Sequence, residues 1–365
     1  MESYIPDKLP PNNIDWESHV SLIGKAGNAL GQFRGSLRNV VNPSIFLSPL
    51  SLREAVVSSR IEGSQATMNQ VLEFEVMPQK DLTPERQDDF LEVLNYREAL
   101  IKAEEELRRL PLSLRLVCNA HRRLLSSVRG KNKTPGEFRR GQNYIAPYGQ
   151  PQENATFVPP SPSMMREALN SWENYLHVEE KDPLVHLAVI KAQFELIHPF
   201  MDGNGRIGRL LVPLILFDKK LLSGPHFYLS AYLERNRDEY FARLGAISKD
   251  GDWNGWIQFF LRAIIEQATE NTNRILAILE LYNDMKVMVS KATKSHYAIQ
   301  ALDAIFNFPF FQTVTFIRSS GIPRESAAKL LRRLCDKGII QQILEGRGSR
   351  SAVYQFSRLI ELTEV

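Results

Sequence analysis

The sequence predicts a mainly α-helical protein with one short β-hairpin near its middle and a separate C-terminal unit that ends in a second hairpin. Three observations support this fold class. Apolar residues recur every three or four positions from Trp16 to about residue 290, which is the spacing of a helix face. Residues 138–160 replace this pattern with turn-forming residues between two β-prone runs. Residues 295–365 indicate three short helices followed by a hairpin.

The helices on either side of the central hairpin follow from the apolar spacing. We predict them to begin at Trp16 and then to span 51–63, 84–110, 112–126 and 163–178. The two β-prone runs of the hairpin are Asn143–Ile145 and Thr156–Val158.

Local signals place the next helix boundaries. Asp182 is a preferred N-cap residue and Pro183 suits the first helical position. This helix must end near Ile197, because His198 precedes a proline. A new helix begins near Arg206. Later helices are expected over 240–247, 253–265 and 264–290.

Composition excludes several classes of protein. The chain has 365 residues, 43% of them hydrophobic, which is enough for two or three domains. A formal net charge of +3 excludes a polybasic nucleic-acid coat. The two cysteines, Cys118 and Cys335, are too few for a disulfide framework or a zinc site. No apolar run approaches the roughly 20 residues of a membrane span, so we expect a cytoplasmic protein without membrane contact.

The loop that joins the two central helices carries the chemistry. Gly203, Asn204 and Gly205 tolerate left-handed backbone conformations. Such a backbone can turn successive N–H groups towards one anion, and the N-terminus of the next helix favours phosphate at the same place. Arg206 and Arg209 lie three residues apart, so both guanidinium groups can reach one face of that helix.

Two further residues of the loop suit nucleotide chemistry. Asp202 makes sense among cationic groups as a ligand of Mg²⁺ on the phosphates of a nucleotide. His198 has an ordinary pKa of about 6.5 and can accept a proton from a hydroxyl. Taken singly, a Gly-Asn-Gly run is usually a helix cap and a lone histidine is usually structural. The combination within residues 198–209 favours a functional site.

The loop resembles the signature of the Fic family, His-x-Phe-x-(Asp/Glu)-Gly-Asn-Gly-Arg-x-x-Arg, and every fixed position matches residues 198–209. The resemblance implies a Fic-type helical core that transfers AMP from ATP and releases pyrophosphate. It implies that His198 is the base and Asp202 the Mg²⁺ ligand. It assigns the phosphates to the segment from Gly203 to Arg209, which includes Asn204, Gly205, Arg206 and Gly208, with the γ-phosphate on Arg209. Related Doc-type kinases have a lysine at the position of Gly205, so this glycine favours adenylylation over phosphorylation.

A second pattern lies upstream, at Ser58, Glu62 and Gly63. It is similar to the family's inhibitory motif, (Ser/Thr)-x-x-x-Glu-(Gly/Asn), on a helix expected over 51–63. The resemblance implies that Glu62 pairs with Arg209 and occupies the space of the γ-phosphate. Without the catalytic loop, a solvated glutamate would be the simpler interpretation.

Two segments resemble the parts of the family that surround the substrates. The hairpin with Ile145 and Phe157 is similar to the flap that binds a target protein by strand addition, although an ordinary surface hairpin is the alternative. Tyr240 and Phe241 resemble the region that closes over adenine, and either ring could instead belong to the core.

The C-terminal unit resembles a winged helix-turn-helix. Residues that could face a DNA backbone, by their basic charge and positions, are Arg324, Lys329, Arg332, Arg333, Arg347 and Arg350. Winged helices also serve as protein-interaction and homodimer modules, so this interpretation stays open beside DNA binding.

The predicted domains are a helical N-terminal region over 1–110, a catalytic core over 111–285 and a winged helix over 286–365. The favoured function is an autoinhibited protein adenylyltransferase that modifies a Ser, Thr or Tyr hydroxyl of a protein target or of itself. One alternative is a DNA-binding regulator with a nucleotide-sensing Fic domain, against which the intact His198 argues. Another is a Fic enzyme that uses a different donor, such as UTP or a choline phosphate, or that removes AMP.

Overall fold

The structure is a computed structural model that describes residues 2–38, 43–77, 82–126, 128, 132–146, 152–346 and 351–364. It is mainly helical, as the sequence predicts. The helices before the catalytic loop are α1 (Trp16–Arg38), α2 (Pro43–Ile61), α3 (Met68–Val76), α4 (Pro84–Leu107), α5 (Leu114–Leu124), α6 (Pro162–Leu176) and α7 (Pro183–Ile197). Those after it are α8 (Asn204–Asp218), α9 (Ser230–Arg235), α10 (Arg237–Asp250), α11 (Trp253–Thr293), α12 (Ala298–Asn307), α13 (Thr313–Ser320), α14 (Arg324–Asp336) and α15 (Ser357–Glu364).

The chain forms two compact units. The first contains residues 1–34, 57–64 and 91–269, and the second contains 35–56, 65–90 and 270–365. Among the described residues, no helix is both long enough and apolar enough to cross a bilayer.

Helix α7 lies at the centre of the first unit, with every residue from Leu184 to Ile197 buried. A helix that is buried on all sides belongs in a core, and α7 also buries the charged pair Lys191 and Glu195. The side chain of Asp182 caps it by accepting hydrogen bonds from two main-chain N–H groups, and Pro183 occupies the first turn, so the predicted start is confirmed. Helices α7 and α8 pack against each other and hold the loop 198–203 at their junction.

The central hairpin is shorter than the sequence predicts. Its paired part is a single antiparallel bridge between Ile145 and Phe157. Two features limit the ladder: Asn143 directs its amide to the carbonyl of Phe200, 3.0 Å away, and the prolines that follow Val158 have no N–H to donate. Residues 147–151, which the sequence analysis places within the hairpin, lie outside the described part of the chain.

Three helical predictions need correction. Helix α2 begins at Pro43 and ends at Ile61 instead of spanning 51–63. Helix α3 was missed, although Thr67 and Gln70 form a capping box at its start. The helices expected over 253–265 and 264–290 are one continuous helix of 41 residues, α11, because no glycine, proline or cap interrupts the sequence between them.

The C-terminal part of the second unit contains the predicted three helices and a hairpin. Strands β1 (Phe310–Gln312), β2 (Gln341–Leu344) and β3 (Val353–Gln355) form an antiparallel sheet in the order β1-β3-β2. In this register Tyr354 lies opposite both Phe311 and Gln342. Strand β1 and helix α15 were not predicted.

Candidate active site

The backbone of the loop reverses the chain between α7 and α8. His198 adopts left-handed dihedral angles, with φ 50° and ψ 60°, and Gly203 has φ 77°. The side chain of Asn204 closes the loop, because its Oδ1 accepts from the N–H of Phe200 and its Nδ2 donates to the carbonyl of Phe200, each at 2.8 Å. Asn204 therefore maintains the loop with its side chain, and only its main chain heads helix α8.

Phe200 anchors the loop in the core. Its ring is 0% exposed and stacks on the imidazole of His121 with 3.7 Å between ring centroids. Burial lowers the pKa of His121 to about 4, even though the main-chain oxygen of Asp202 works against this. The imidazole is thus neutral: its Nδ1 accepts from the N–H of Gly136 at 2.8 Å, and its Nε2 donates to the Asp202 carbonyl at 2.9 Å.

His198 is held in the tautomer that a general base needs. Its Nδ1 lies 3.3 Å from the main-chain carbonyl of Glu195, and because a carbonyl only accepts, Nδ1 carries the proton. The lone pair is then on Nε2. Burial lowers the pKa of His198, and Arg139 adds to this, whereas the Glu195 carbonyl and the carboxylates of Glu195 and Glu62 oppose it. The net effect keeps the imidazole neutral near pH 7.

Arg209 and Glu62 form an ion pair with 2.6 Å between Nη2 and Oε1. The Arg209 side chain is 1% exposed and that of Glu62 is 40% exposed. Ser58 supplies two more acceptors for the guanidinium, its Oγ and its carbonyl oxygen, each at 2.9 Å. Helix α2 ends just before Glu62, and Gly63 follows with φ 103°, a conformation that favours glycine.

The ion pair is reflected in both pKa values. Desolvation opposes the charged form of Glu62, but Arg209 outweighs it, helped by Arg206 and His198, so the pKa of Glu62 is lowered. Burial also opposes the charge of Arg209, and Glu62 outweighs that effect, so the pKa of Arg209 is raised. The two groups are charged together at neutral pH.

Arg206 is the second buried cation of the loop, with a side chain that is 5% exposed. It lies 3.3 Å from Glu92 on α4 and 3.4 Å from Asp202. Within the described part of the chain, its Nε has no hydrogen-bond partner. Glu92 was not singled out from the sequence. Both Glu92 and His121 lie among buried apolar residues of their helices. A titratable residue within the apolar face of a predicted helix was the sequence signal that could have identified them.

Asp202 is the predicted magnesium ligand, and its side chain is 41% exposed. Its Oδ1 accepts from the N–H of Gly203 and faces Arg206. In the ranges that the structure describes, no group of three or more His, Cys, Asp and Glu residues could hold a metal. A single accessible carboxylate suits Mg²⁺, which is commonly bound by one or two carboxylates together with substrate phosphates. The donor set therefore fits an ion that arrives with its nucleotide.

Gly205 and Gly208 allow close contacts on α8. A Cβ at position 205 would overlap the Glu62 carboxylate and lie 3.0 Å from Nη1 of Arg209. A Cβ at position 208 would lie 2.7 Å from Oε1 of Glu195. Side chains at these positions would displace the carboxylates, so the two glycines leave room for the charges around Arg209.

A buried polar cluster of Lys191, Glu195 and Tyr240 lies beside α8. Lys191 Nζ is 2.7 Å from Glu195 Oε1 and 3.1 Å from the hydroxyl of Tyr240, and that hydroxyl also donates to Glu195. Tyr240 is 1% exposed. Its ring belongs to the core, so of the two aromatic residues expected near adenine only Phe241, which is 49% exposed, presents its ring to solvent. The guanidinium of Arg237 lies over that ring, 5.4 Å from the centroid.

The flap residues Ile145 and Phe157 face each other across the bridge, and Ile145 is 39% exposed. The N-terminal segment covers the outer side of the second flap run. The N–H of Tyr4 donates to the Val158 carbonyl at 2.8 Å, and Ser3 Oγ donates to Pro159. One edge of the flap is therefore paired with the chain's own N-terminal residues.

The basic residues predicted to contact nucleic acid lie in the second unit. Arg324, Lys329 and Arg332 are exposed on helix α14. Arg333 is also exposed, and its guanidinium donates to the main-chain carbonyl of Thr293. Arg347 and Arg350 lie outside the described residues.

The matches to known families and proteins support the family resemblance of the loop. Residues 20–105 match the Fic/DOC family N-terminal region, and residues 111–216 match the Fic/DOC family. The chain is 26% identical over 199 residues to the protein adenylyltransferase Fic of Drosophila virilis, covering 53% of this chain and 36% of that protein. It is 36% identical over 91 residues to a probable protein adenylyltransferase of Aquifex aeolicus, which is 25% of this chain and 26% of the relative. The chain thus spans between about a quarter and about a third of the length of these relatives.

Solved structures share the fold. A Fic family protein from Desulfovibrio desulfuricans G20 has a TM-score of 0.61 at 19% identity, over 95% of this chain and 98% of that one. Residues 134–508 of Fic-1 from C. elegans have a TM-score of 0.51 at 20% identity, over 73% of this chain and 74% of the other. At these identities the similarity describes the fold.

Proposed function

The chain belongs to the Fic/DOC family, and from this premise we propose that it is an autoinhibited protein adenylyltransferase. It transfers AMP from ATP to a Ser, Thr or Tyr hydroxyl of a protein and releases pyrophosphate. The relatives named protein adenylyltransferase support the reaction type. The observation that carries the autoinhibition is the 2.6 Å ion pair between Arg209 and Glu62, formed by a loop that is otherwise equipped for catalysis.

The proton transfer is assigned to His198. The target's hydroxyl oxygen forms a bond to the α-phosphorus while the bond from that phosphorus to the pyrophosphate oxygen breaks. The hydroxyl proton passes to Nε2 of His198, whose lone pair is free because Nδ1 is directed at the Glu195 carbonyl. The lowered pKa of His198 supports this role, since the imidazole is already neutral at physiological pH.

The phosphates are assigned to the start of α8. The main-chain N–H groups of Asn204 and Gly205 head a helix whose N-terminus favours anions, whereas the N–H of Gly203 donates to Asp202 in the structure. Arg206 holds the α- and β-phosphates with its fork of donors, oriented by Glu92. A Mg²⁺ ion on Asp202 would neutralise phosphate charge. These groups position the nucleotide and stabilise the charge that develops in the transition state.

Inhibition is a competition for one guanidinium. In the structure the fork of Arg209 is shared between Glu62 and Ser58. A γ-phosphate needs the same donors, and a carboxylate already bound there repels a second anion. ATP therefore binds without its γ-phosphate in the productive position until Glu62 leaves.

The remaining assignments complete the proposal. The flap at Ile145 and Phe157 docks an extended target segment, and the exposed ring of Phe241 contacts adenine. Residues 1–110, 111–285 and 286–365 are the N-terminal, catalytic and winged-helix regions. The winged helix contacts DNA or forms a homodimer, and the two free cysteines support a cytoplasmic location.

The test uses ATP labelled at the α-phosphate, with Mg²⁺. Glu62→Gly should raise protein-bound label about tenfold to a hundredfold, because a hydrogen bond to a charged group contributes about 1.5–3 kcal/mol. The expected first product is the self-modified chain. His198→Ala should lower the rate of the Glu62→Gly protein by about a hundredfold or more.

Matched controls separate the interpretations. Glu62→Gln and Glu234→Gln each remove one negative charge, but Glu234 pairs with Arg60 at the surface, so only the first should activate. Label from γ-labelled ATP would indicate phosphorylation, and α-labelled UTP tests another donor. Unchanged incorporation in Glu62→Gly would refute the inhibitory assignment.

A further inference from the structure

Arg139 is a buried cation to which the proposed mechanism gives no part. It lies in the segment that leads into the flap, and it is 1% exposed. Every acceptor that the structure records for its side chain is a main-chain carbonyl. Burial lowers the pKa of Arg139 to about 10, which leaves the guanidinium charged at neutral pH. A charged group that binds only carbonyl oxygens orients backbone, since it neutralises no carboxylate.

Two of these carbonyls, together with a third that the main chain of Arg139 binds, are consecutive and lie at the end of α7 and the start of the catalytic loop. The Nε of Arg139 donates to the carbonyl of His198 at 3.0 Å, and its Nη2 lies 3.5 Å from the carbonyl of Ile197. The main-chain N–H of Arg139 donates to the carbonyl of Pro199 at 2.9 Å. His198 has φ 50°, a strained conformation for a residue with a Cβ. Arg139 thus binds the carbonyls on both sides of that strained residue.

The other two carbonyls mark the ends of the flap segment. Nη1 donates to Gly141 at 3.1 Å and Nη2 donates to Pro160 at 2.5 Å. The residues between them contain both paired runs of the flap. One planar guanidinium therefore binds the backbone of the proposed base and both ends of the proposed docking element. Its rigid fork sets the directions of these contacts.

We propose that Arg139 is a positioning residue that aligns His198 with the flap, so that the hydroxyl of a docked target meets Nε2 of the imidazole. This inference rests on the proposed function. The recorded side-chain contacts of Arg139 lie outside α8. The proposal therefore assigns alignment of the reacting groups to Arg139 and binding of the phosphates to α8. Loss of Arg139 should impair the chemical step and leave ATP binding nearly intact.

Arg139 also acts on the charge of the base. Burial has the largest effect on the pKa of His198. The charged groups that face the imidazole are Glu195 on α7, Glu62 after α2, and Arg139. The two carboxylates raise the pKa and Arg139 lowers it. Replacement of Arg139 by a neutral side chain should therefore raise the pKa of His198, whereas replacement by lysine should preserve it.

The experiment compares Arg139→Met, Arg139→Lys and Arg140→Met in the Glu62→Gly protein. Arg140 is the matched control, since it is the next residue, has a side chain that is 83% exposed and pairs with Glu137. We expect Arg139→Met to lower kcat for AMP incorporation by about a hundredfold, the effect of a small misplacement of reacting groups. KM for ATP should change by less than about threefold, because Arg139 has no part in binding ATP in the proposal.

The two Arg139 variants separate the effect of the charge from the effect of the hydrogen-bond geometry. An NMR titration of the His198 imidazole should show a higher pKa in Arg139→Met and an unchanged pKa in Arg139→Lys. Lysine keeps the charge but lacks the fork, so its kcat should also fall. Arg140→Met should match the parent in every measurement.

Three results would overturn the proposal. These are a kcat for both Arg139 variants equal to that of the Arg140 control, a parallel loss of ATP binding, and an unshifted His198 pKa in Arg139→Met. If Arg139→Met does not fold, the kcat and KM of Arg139→Lys decide. If the parent transfers no AMP, the proposed function fails, while the titration still tests the contact between Arg139 and His198.

Discussion

At the scale of single residues, the site is organised by charges that have more than one possible partner. Arg209 binds Glu62 and Ser58 in the structure, and the proposed γ-phosphate would replace only the first. In the proposed exchange Ser58 would keep its two contacts to the guanidinium, because they involve a neutral hydroxyl and a carbonyl. We therefore expect the serine of the inhibitory pattern to orient Arg209 for either anion.

The pH dependence of activity and of inhibition follows from two lowered pKa values. The pKa of Glu62 is lowered, so its ion pair is complete above the ordinary value of about 4.3 and is lost only as the pH falls through the lowered value. The pKa of His198 is also lowered, so the base stays neutral to below about pH 6.5. Between about pH 5 and 8, the range in which histidines titrate, Glu62 stays ionised, so the wild type should remain inhibited relative to Glu62→Gly.

Initial rates of AMP incorporation across that range check both expectations. The rate of Glu62→Gly should decline only below about pH 6.5, the ordinary value for histidine. A ratio of Glu62→Gly to wild-type rates that approaches one in mild acid would contradict a carboxylate with a lowered pKa. A decline that begins near pH 7 would contradict the lowered pKa of His198.

At the scale of elements, helix α7 determines where the loop begins. Three hydrogen bonds tie its main chain or side chains to neighbouring helices: the indole of Trp172 to Ile190, the indole of Trp256 to Ala188, and His186 to Tyr175. Its N-terminus is fixed by Asp182, and its C-terminus by the left-handed conformation of His198. The position of the base is therefore set by a helix that is anchored at both ends.

Removal of the α7 cap should destabilise the protein without changing the chemistry. Asp182 Oδ1 accepts from the N–H groups of Leu184 and Val185, both at 2.9 Å. Asp182→Ala should lower the free energy of unfolding by about 1–2 kcal/mol. Ser161→Ala is the matched control on α6, where one longer contact of 3.4 Å should contribute less.

Urea unfolding monitored by tryptophan fluorescence measures both variants. AMP transfer by the folded Asp182→Ala protein should stay within about twofold of that of its parent. Loss of the cap lowers the stability of the fold but leaves the contacts made in the transition state unchanged. Equal losses of stability in the two variants would contradict the role given to the Asp182 cap.

At the scale of the whole molecule, the two compact units suggest separate tasks. The first contains the loop, Glu62 and the flap. The second places three basic residues, Arg324, Lys329 and Arg332, on the exposed face of helix α14, while Arg333 is engaged by Thr293. We propose that this basic face of α14 contacts DNA, as the second helix of a helix-turn-helix does.

Binding of double-stranded DNA to the full chain tests this expectation. The triple variant Arg324→Ala, Lys329→Ala and Arg332→Ala should weaken binding and reduce the slope of log affinity against log salt by about three, one for each lost phosphate contact. The control variant Lys286→Ala with Lys291→Ala removes exposed charges from α11 and should bind as the parent does. Unchanged affinity in the triple variant would favour a protein-interaction role for this unit.

The sequence by itself determined the family to which the loop belongs and the start of α7, whereas it placed the start of α8 about two residues late, near Arg206. Residues 198–209 carry their functional groups in one short stretch, and the caps at Asp182 and Gly203 depend on neighbouring residues. Local signals of this kind are readable because the interacting atoms are close in the chain. The pattern at Ser58 and Glu62 was also visible, although only its similarity to a family motif gave it a partner.

Only the tertiary structure decided which distant groups complete the site. His121 meets Asp202 across 81 positions of sequence, Arg139 meets His198 across 59, and Glu62 meets Arg209 across 147. The burial of Tyr240 and the orientation of Arg206 by Glu92 likewise depend on helix packing. A side chain's type limits the bonds it can form, but the partner is selected by the fold that brings two remote segments together and removes water from between them.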